Sequence, residues 1–175
     1  MIAAVLGLGK TLKQYKPGEF DFTVGVNDIF RYHETDYVVC IDHRHRFKDE
    51  RKQILDSTNC SKFYSHCDDW IHVPNFHKVR LVRGSNLDDS KNRYDCSNNS
   101  THVAAVVAYK MGAREIVVYG ADFYGDHKFF KNDGAAKMAV SGFSRLRKEM
   151  NKRGVGLYVG HAYSKLSKVL PVWKR

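Results

Sequence analysis

Two glycines near the amino terminus could bring backbone amides close to a phosphorylated ligand. Gly7 and Gly9 form a G-x-G turn after an apolar run, and a helix beginning near Thr11 would add its positive end at the same place. The residues from Gly9 to Thr11 match only the last three letters of a P-loop, and the full dinucleotide motif G-x-G-x-x-G is absent. The pattern therefore predicts either a phosphate-binding loop or a tight strand-to-helix turn without a ligand.

Polar side chains at predicted strand ends could bind the rest of such a ligand. Asn27 and Asp42 each follow a short β-favouring run, where an amide or carboxylate can bind a sugar hydroxyl or the exocyclic amine of a base. Asp122 and Tyr124 follow a third run, and the phenol of Tyr124 could donate to a phosphate oxygen, with Lys128 supplying charge. The structural alternatives are a helix cap for the polar residues and a half-buried aromatic ring for the tyrosine.

Two of the nine histidines are candidate general bases. His127 and His161 both follow predicted strand ends, and an unperturbed imidazole titrates near neutral pH. An ordinary surface histidine is the alternative interpretation of each.

The spacing of histidine and cysteine predicts no metal site. His43 and His45 flank an arginine and His66 precedes His72, but these pairs match neither an H-x-x-x-H pair nor the spacing of a known Cys/His site. The four cysteines contain no C-x-x-C pair: Cys40, Cys60, Cys67 and Cys96. This spacing favours the reduced thiols of a cytosolic protein.

Alternating strands and helices would position these residues. In the segment 100–124, Ser100 or Asn99 is expected to cap a helix, Gly112 to end it, and residues 116–119 to form a buried strand. Further strands are predicted at 2–6, 20–26, 37–41, 63–64 and 156–159, and helices at 46–55, 135–153 and the carboxyl terminus.

This order predicts an α/β fold, a Rossmann-like doubly wound and mostly parallel sheet, in a single domain spanning residues 1–175. Residues 70–99 show little periodicity and predict a lid, an insertion or elements that the pattern does not reveal.

Charge and length limit the partners. The 29 Lys and Arg against 19 Asp and Glu give a net charge of +10, which favours a nucleotide or nucleotide sugar, nucleic acid or an anionic surface as the partner.

No run approaches the roughly 20 apolar residues of a membrane helix. The apolar start lacks the basic leader and cleavage site of a signal peptide. We expect a cytoplasmic protein, with peripheral membrane contact through its basic tail and homo-oligomer formation as further expectations.

The chain resembles two related groups of proteins. The features that carry the resemblance are GxGxTL at 7–12, strands ending at Asn27 and Asp42, Ser100, and MGAREIVVYGADFY at 111–124. One group is the bacterial lipooligosaccharide sialyltransferases of glycosyltransferase family 42. The other comprises DUF115 and pterin-pyrophosphokinase-like proteins, whose first loop usually reads GNGPSL. Residues 60–99 and 131–155 match poorly.

The sialyltransferase resemblance implies a bound cytidine monophosphate (CMP) donor. The residues that it assigns to the donor are Gly7, Gly9, Thr11, Asn27, Ser100 and Tyr124, the last at the phosphate. Leu8 and Lys10 differ from the usual loop. The place of a second phosphate tyrosine falls on Phe129 and Phe130, and residues 131–155 contain no histidine for the base of the family.

These features predict a glycosyltransferase-like enzyme that binds a nucleotide-activated sugar, CMP-linked by resemblance, and needs no cofactor. One alternative is a pyrophosphokinase-like enzyme in which Asp42, Asp122 or Asp126 holds Mg²⁺. Another is a non-catalytic nucleotide- or nucleic-acid-binding protein that kept the fold and lost the chemistry.

Overall fold

A parallel sheet of seven strands forms the centre of the described part of the protein. The structure is a computed structural model and describes residues 1–83, 87, 89–90, 92–96, 99–124 and 133–174. The strands of this sheet are β1 (Ile2–Leu6), β2 (Phe22–Val26), β3 (Tyr37–Val39), β4 (Lys62–Ser65), β5 (Phe76–Lys78), β8 (Glu115–Tyr119) and β9 (Gly156–Val159). They lie in the order β5-β4-β3-β2-β1-β8-β9, and all their pairings are parallel, as the sequence predicts.

Alternate residues of the central strands pack on opposite faces of the sheet. Ala3 and Val5 of β1 belong to one apolar cluster, together with the buried apolar side chains of helices α2 (Ser100–Lys110) and α3 (Asp133–Lys152). Ala4 and Leu6 belong to a second cluster, with helix α1 (Asp49–Asp56) and the single-turn segments that follow β1 to β4. Since both faces are covered, the sheet is doubly wound, and the predicted fold class is confirmed.

Helix α2 begins and ends where its sequence predicts. The side chain of Asn99 accepts hydrogen bonds from the amides of Thr101 and His102, so Asn99 rather than Ser100 caps the helix. Gly112, with φ +90°, turns the chain just after the helix.

Other boundaries differ from those predicted from the sequence. Strand β2 begins at Phe22 rather than at residue 20, since the side chain of Asp21 turns back to accept from the amide of Ile2. Strand β3 ends at Val39. Helix α1 begins only at Asp49, where two acidic residues favour a first turn. The predicted carboxyl-terminal helix is a single 3₁₀ turn, Lys165–Lys168.

The described part of residues 70–99 contains three short strands that the sequence pattern does not reveal. Strand β5 extends the main sheet, while β6 (Arg80–Arg83) and β7 (Arg93–Cys96) form a separate parallel pair. The lid or insertion predicted here stays a prediction.

A buried polar cluster connects β7 to the helices. Nε2 of His102 lies 3.1 Å from Oδ2 of Asp95, and the Arg145 guanidinium donates to both Asp95 oxygens at 3.1 and 3.2 Å. Burial raises the pKa of Asp95, but hydrogen bonds and charge from His102 and Arg145 outweigh burial and hold this pKa below its ordinary value. The cluster therefore holds three elements together through one carboxylate.

Candidate functional site

The candidate site lies where the strand order reverses. From β1 the chain builds outward through β2, β3 and β4, and after α2 it returns to place β8 on the other side of β1. In an open α/β sheet, ligands bind outside the carboxyl ends of the strands at such a switch point. Here those ends are Gly7 after β1 and Gly120 after β8.

Glycines allow the two loops to touch. Gly120 has φ +66°, and a Cβ there would lie 2.2 Å from the carbonyl oxygen of Gly7. The amide of Gly9 donates to the carbonyl of Gly120 at 2.8 Å, and the amide of Gly7 donates to Tyr119 at 2.8 Å. These two amides therefore have partners within the protein. A phosphate contact through them would need an exchange of partners, and such contact stays a prediction.

Thr11 and Asp122 fasten the same two loops through their side chains. Both residues are buried. The Thr11 amide donates to Oδ2 of Asp122 at 2.8 Å, and its hydroxyl donates to Oδ1. That hydroxyl also accepts from the amide of Gly120 at 2.9 Å. Because both oxygens of Asp122 accept from Thr11, the carboxylate supports the loop and is poorly placed to hold a cation.

Asn27 and Ser100 meet in front of helix α2. Asn27 follows β2 with φ +52°, a left-handed conformation that asparagine tolerates better than most residues. Because Asn99 caps the helix, the Ser100 hydroxyl is directed elsewhere, and it donates to Oδ1 of Asn27 at 3.4 Å. The structure thus brings together two predicted site residues that are 73 positions apart.

Tyr124 lies beside groups that the sequence does not assign to the site. Its exposed ring packs on Tyr163 with 4.8 Å between centroids, and the Lys165 ammonium lies 5.1 Å from its centroid. Tyr163 and Lys165 come from the turn after β9. The Ser164 hydroxyl holds this turn in place by donating to the Ala121 carbonyl at 2.7 Å. Spacing within the motif at 120–124 does not predict a second tyrosine that comes from the turn after the neighbouring strand β9.

The remaining predicted residues occupy different surroundings. His161 is exposed, and its Nδ1 accepts from the amide of Tyr163 at 3.1 Å. Asp42 lies after β3, and its carboxylate accepts from Arg46 at 3.4 Å. The predicted residues just after Tyr124 lie outside the described residues: Asp126, His127, Lys128, Phe129 and Phe130. The structure therefore leaves both candidate bases as predictions.

A second cluster of polar groups follows β3 and β4. One nitrogen each of His43 and His66 and the sulfur of Cys67 lie within 4.8 Å of one another. In the same way, one ligand atom each of His43, His45 and Asp69 lies within 4.8 Å of the other two. Burial and the nearby imidazole of His43 lower the pKa of His66, whereas burial and the charge of Asp69 raise the pKa of Cys67 to about 11. Spacing along the sequence did not reveal this cluster, because its residues follow two different strands.

A basic groove of about 660 Å³ lies between α3 and the 3₁₀ turn after β9. Five cationic side chains are among those that line it: Lys137, Arg145, Lys148, Lys165 and Lys168. Since Lys165 also lies over Tyr124, the groove adjoins the phenol that is predicted to bind phosphate. Among the described residues, no helix is long and apolar enough to cross a membrane.

Solved sialyltransferases share the fold. The sialyltransferase CstII from Campylobacter jejuni in complex with CMP matches with a TM-score of 0.58 and 15% identity, covering 99% of this chain and 85% of the other. CstII in complex with a trisaccharide acceptor and CMP matches with a TM-score of 0.60 and 14% identity, covering 98% and 86%. The apo α-2,3-sialyltransferase from the same organism matches with a TM-score of 0.60 and 13% identity, covering 99% and 80%.

Neither a protein-family model nor a curated protein sequence matches this chain. The resemblance to DUF115 and pyrophosphokinase-like proteins has no support from these comparisons. At 13–15% identity, the similarity to the sialyltransferases shows that the chain has their Rossmann-like fold along almost its whole length.

Proposed function

We propose that the protein is a glycosyltransferase-like enzyme that binds a CMP-linked sugar at the carboxyl edge of its sheet. The observation that carries the proposal is the contact between Ser100 and Asn27 in front of α2, at the edge where an open α/β sheet binds ligands. The fold shared with sialyltransferases solved in complex with CMP supports the same ligand class.

Asn27 and Ser100 recognise the nucleoside. The Asn27 amide carries two N–H donors besides the oxygen that accepts from Ser100, and cytosine offers acceptors on its ring nitrogen and carbonyl. The left-handed backbone at Asn27 fixes this amide at the end of β2. A polar pair on two rigid elements is suited to select one base.

The phosphate of the donor is bound by Tyr124, Tyr163 and Lys165. A phenol donates to a phosphate oxygen, and the ammonium of Lys165 neutralises part of its charge. The second tyrosine, which the sequence resemblance expects just after Tyr124, is supplied instead by Tyr163 after β9.

The reaction is a direct displacement at the anomeric carbon of the sugar. An acceptor hydroxyl attacks that carbon, the bond to the phosphate oxygen breaks, and CMP leaves with the electron pair. His161 takes the acceptor proton, since the turn that holds it also carries Tyr163. Phosphate contacts stabilise the charge that develops on CMP. The adjoining basic groove offers an anionic acceptor a place to bind.

The pyrophosphokinase alternative finds less support in the site. Mg²⁺ needs carboxylate oxygens that face the transferring phosphates. Asp122 accepts from Thr11 through both oxygens, and Asp42 pairs with Arg46. We therefore assign no metal to the transfer step.

Two matched variants test the nucleoside site. Asn27→Gly removes the amide while glycine keeps the left-handed backbone, and Asn75→Gly makes the same change at φ +57°, before β5. Isothermal titration of CMP should show about tenfold weaker binding or more for Asn27→Gly, a loss of ~1.4 kcal/mol, and unchanged binding for Asn75→Gly. Equal CMP affinities in the two variants would contradict the proposed nucleoside site.

A third variant tests the phosphate site. Tyr163→Phe removes one hydroxyl and retains the ring that packs on Tyr124. It should weaken binding of CMP while leaving binding of cytidine unchanged, because only CMP carries the phosphate. An equal loss of affinity for CMP and for cytidine would show that Tyr163 does not contact the phosphate.

A further inference from the structure

We propose that His43, His66 and Cys67 form a zinc site, which fastens the loop after β3 to the loop after β4. One ligand atom of each residue lies within 4.8 Å of the others. The site is separate from the proposed nucleotide site and does not depend on it, because no residue is shared between them.

The geometry is close to what zinc requires. Tetrahedral zinc holds nitrogen at about 2.0–2.1 Å and sulfur at about 2.3 Å, which places neighbouring ligand atoms roughly 3.5 Å apart. The sulfur of Cys67 lies 3.5 Å from Nε2 and 3.7 Å from Nδ1 of His66, so the imidazole must turn to aim one nitrogen at the metal. Closing the remaining gap of at most about 1.3 Å needs only side-chain rotation at His43 and His66, which are exposed and half-buried respectively.

The ligand types select the metal. Two imidazoles and a thiolate suit zinc and other borderline or soft cations, whereas Mg²⁺ and Ca²⁺ require oxygen ligands. On binding, the thiol of Cys67 loses its proton to solvent and the sulfur donates an electron pair to the metal. The thiol needs no oxidant or reductant for this step.

Asp69 is placed to orient one ligand. Both of its carboxylate oxygens lie 3.3 Å from Nδ1 of His43, and Oδ2 also accepts from the Arg44 amide at 2.9 Å. A carboxylate on one ring nitrogen of a zinc-bound histidine fixes the ring and raises the basicity of the other nitrogen. With Nδ1 held by Asp69, Nε2 of His43 is the nitrogen that binds zinc.

Zinc would restrain the loop after β3. Asp42, predicted to contact the nucleotide, directly precedes His43, and its carbonyl accepts from the Trp70 indole at 2.8 Å. A metal that joins the two loops fixes the position of Asp42 as well.

Cobalt and zinc test the site in the full chain. Co²⁺ should bind with one-to-one stoichiometry and give a thiolate-to-cobalt charge-transfer band in the near ultraviolet, and Zn²⁺ should displace it. Zn²⁺ at a hundredfold excess over its Kd should raise the melting temperature by about 5–10 °C. Bound Zn²⁺ should also protect one cysteine thiol from alkylation.

Matched variants identify the ligands. Cys67→Ser should abolish the charge-transfer band, while Cys60→Ser, a change at another buried cysteine, should retain it. His66→Asn should weaken Co²⁺ binding tenfold or more, whereas His77→Asn should leave it unchanged. Because both histidines are half-buried, these two variants keep the test valid if Cys67→Ser fails to fold. Co²⁺ binding without a charge-transfer band, or equal affinity in the His66 and His77 variants, would overturn the proposal.

Discussion

Replacement of Thr11 by valine tests whether the two glycine loops are held by side chains. The variant keeps the shape of Thr11 and removes a hydroxyl that donates to Asp122 and accepts from the Gly120 amide at 2.9 Å. A hydrogen bond to a charged group is worth about 1.5–3 kcal/mol, and an unpaired buried amide costs about 1–3 kcal/mol. The free energy of unfolding should therefore fall by about 3–5 kcal/mol. For a chain of this length the melting temperature should fall by roughly 10 °C.

Thr23→Val is the matched control. The buried Thr23 hydroxyl likewise donates to a carboxylate, that of Asp36, at 2.8 Å and accepts from the Asp36 amide at 2.9 Å. Thr23 lies near the start of β2, at the opposite edge of the sheet. Thermal unfolding followed by circular dichroism should show comparable losses of stability in both variants. Titration of CMP below both melting temperatures should show weakened binding in Thr11→Val alone. A melting temperature of Thr11→Val equal to that of the unmodified protein would show that the Thr11 hydroxyl does not hold the two loops together.

Two further changes test the fold around the site. Gly120→Ala should destabilise the protein by more than about 3 kcal/mol, because the added Cβ would meet the Gly7 carbonyl. Gly154→Ala, at φ +70° with open space around it, should cost only about 1–2 kcal/mol of left-handed strain. Chemical denaturation measures both losses, and equal losses would contradict the close approach of the two loops. Asp95→Asn should cost about 1.5–3 kcal/mol at neutral pH, because it removes the buried charge that the half-exposed Arg145 guanidinium and His102 hydrogen-bond to. Since the folded pKa of Asp95 is lowered, its contribution is complete above the unfolded pKa of about 3.9 and is lost as pH falls below that value. Titration of stability with pH should show a smaller acid loss in the variant, and parallel curves would show that Asp95 carries no such contribution.

The order of strands and helices could be predicted from local pattern. The short apolar runs ending in small or polar residues, and the small-residue helix between Asn99 and Gly112, each indicate their own element. The three strands described within residues 70–99 could not, because each has only three or four residues and none alternates between buried and exposed side chains as a period-2 signal requires.

The contact between Asn27 and Ser100 could be expected only in part. Asn27 ends a strand of the central sheet, where parallel strand ends meet at one edge, whereas Ser100 is assigned to the same ligand only through the resemblance to the sialyltransferases. Tyr163 was missed because its contact with Tyr124 depends on the path of the chain after β9. The histidine and cysteine cluster was missed for a similar reason, since two loops more than twenty residues apart build it and no fixed spacing marks it.

Isothermal titration of CMP into the unmodified protein and Ser100→Ala, in the presence of a chelator, tests whether the carboxyl edge of the sheet binds the nucleotide. We expect one-to-one binding that needs no divalent cation and that weakens by about tenfold or more when the Ser100 hydroxyl is lost. No detectable CMP binding, or nucleotide binding that depends on Mg²⁺ and ignores the loss of Ser100, would contradict this expectation.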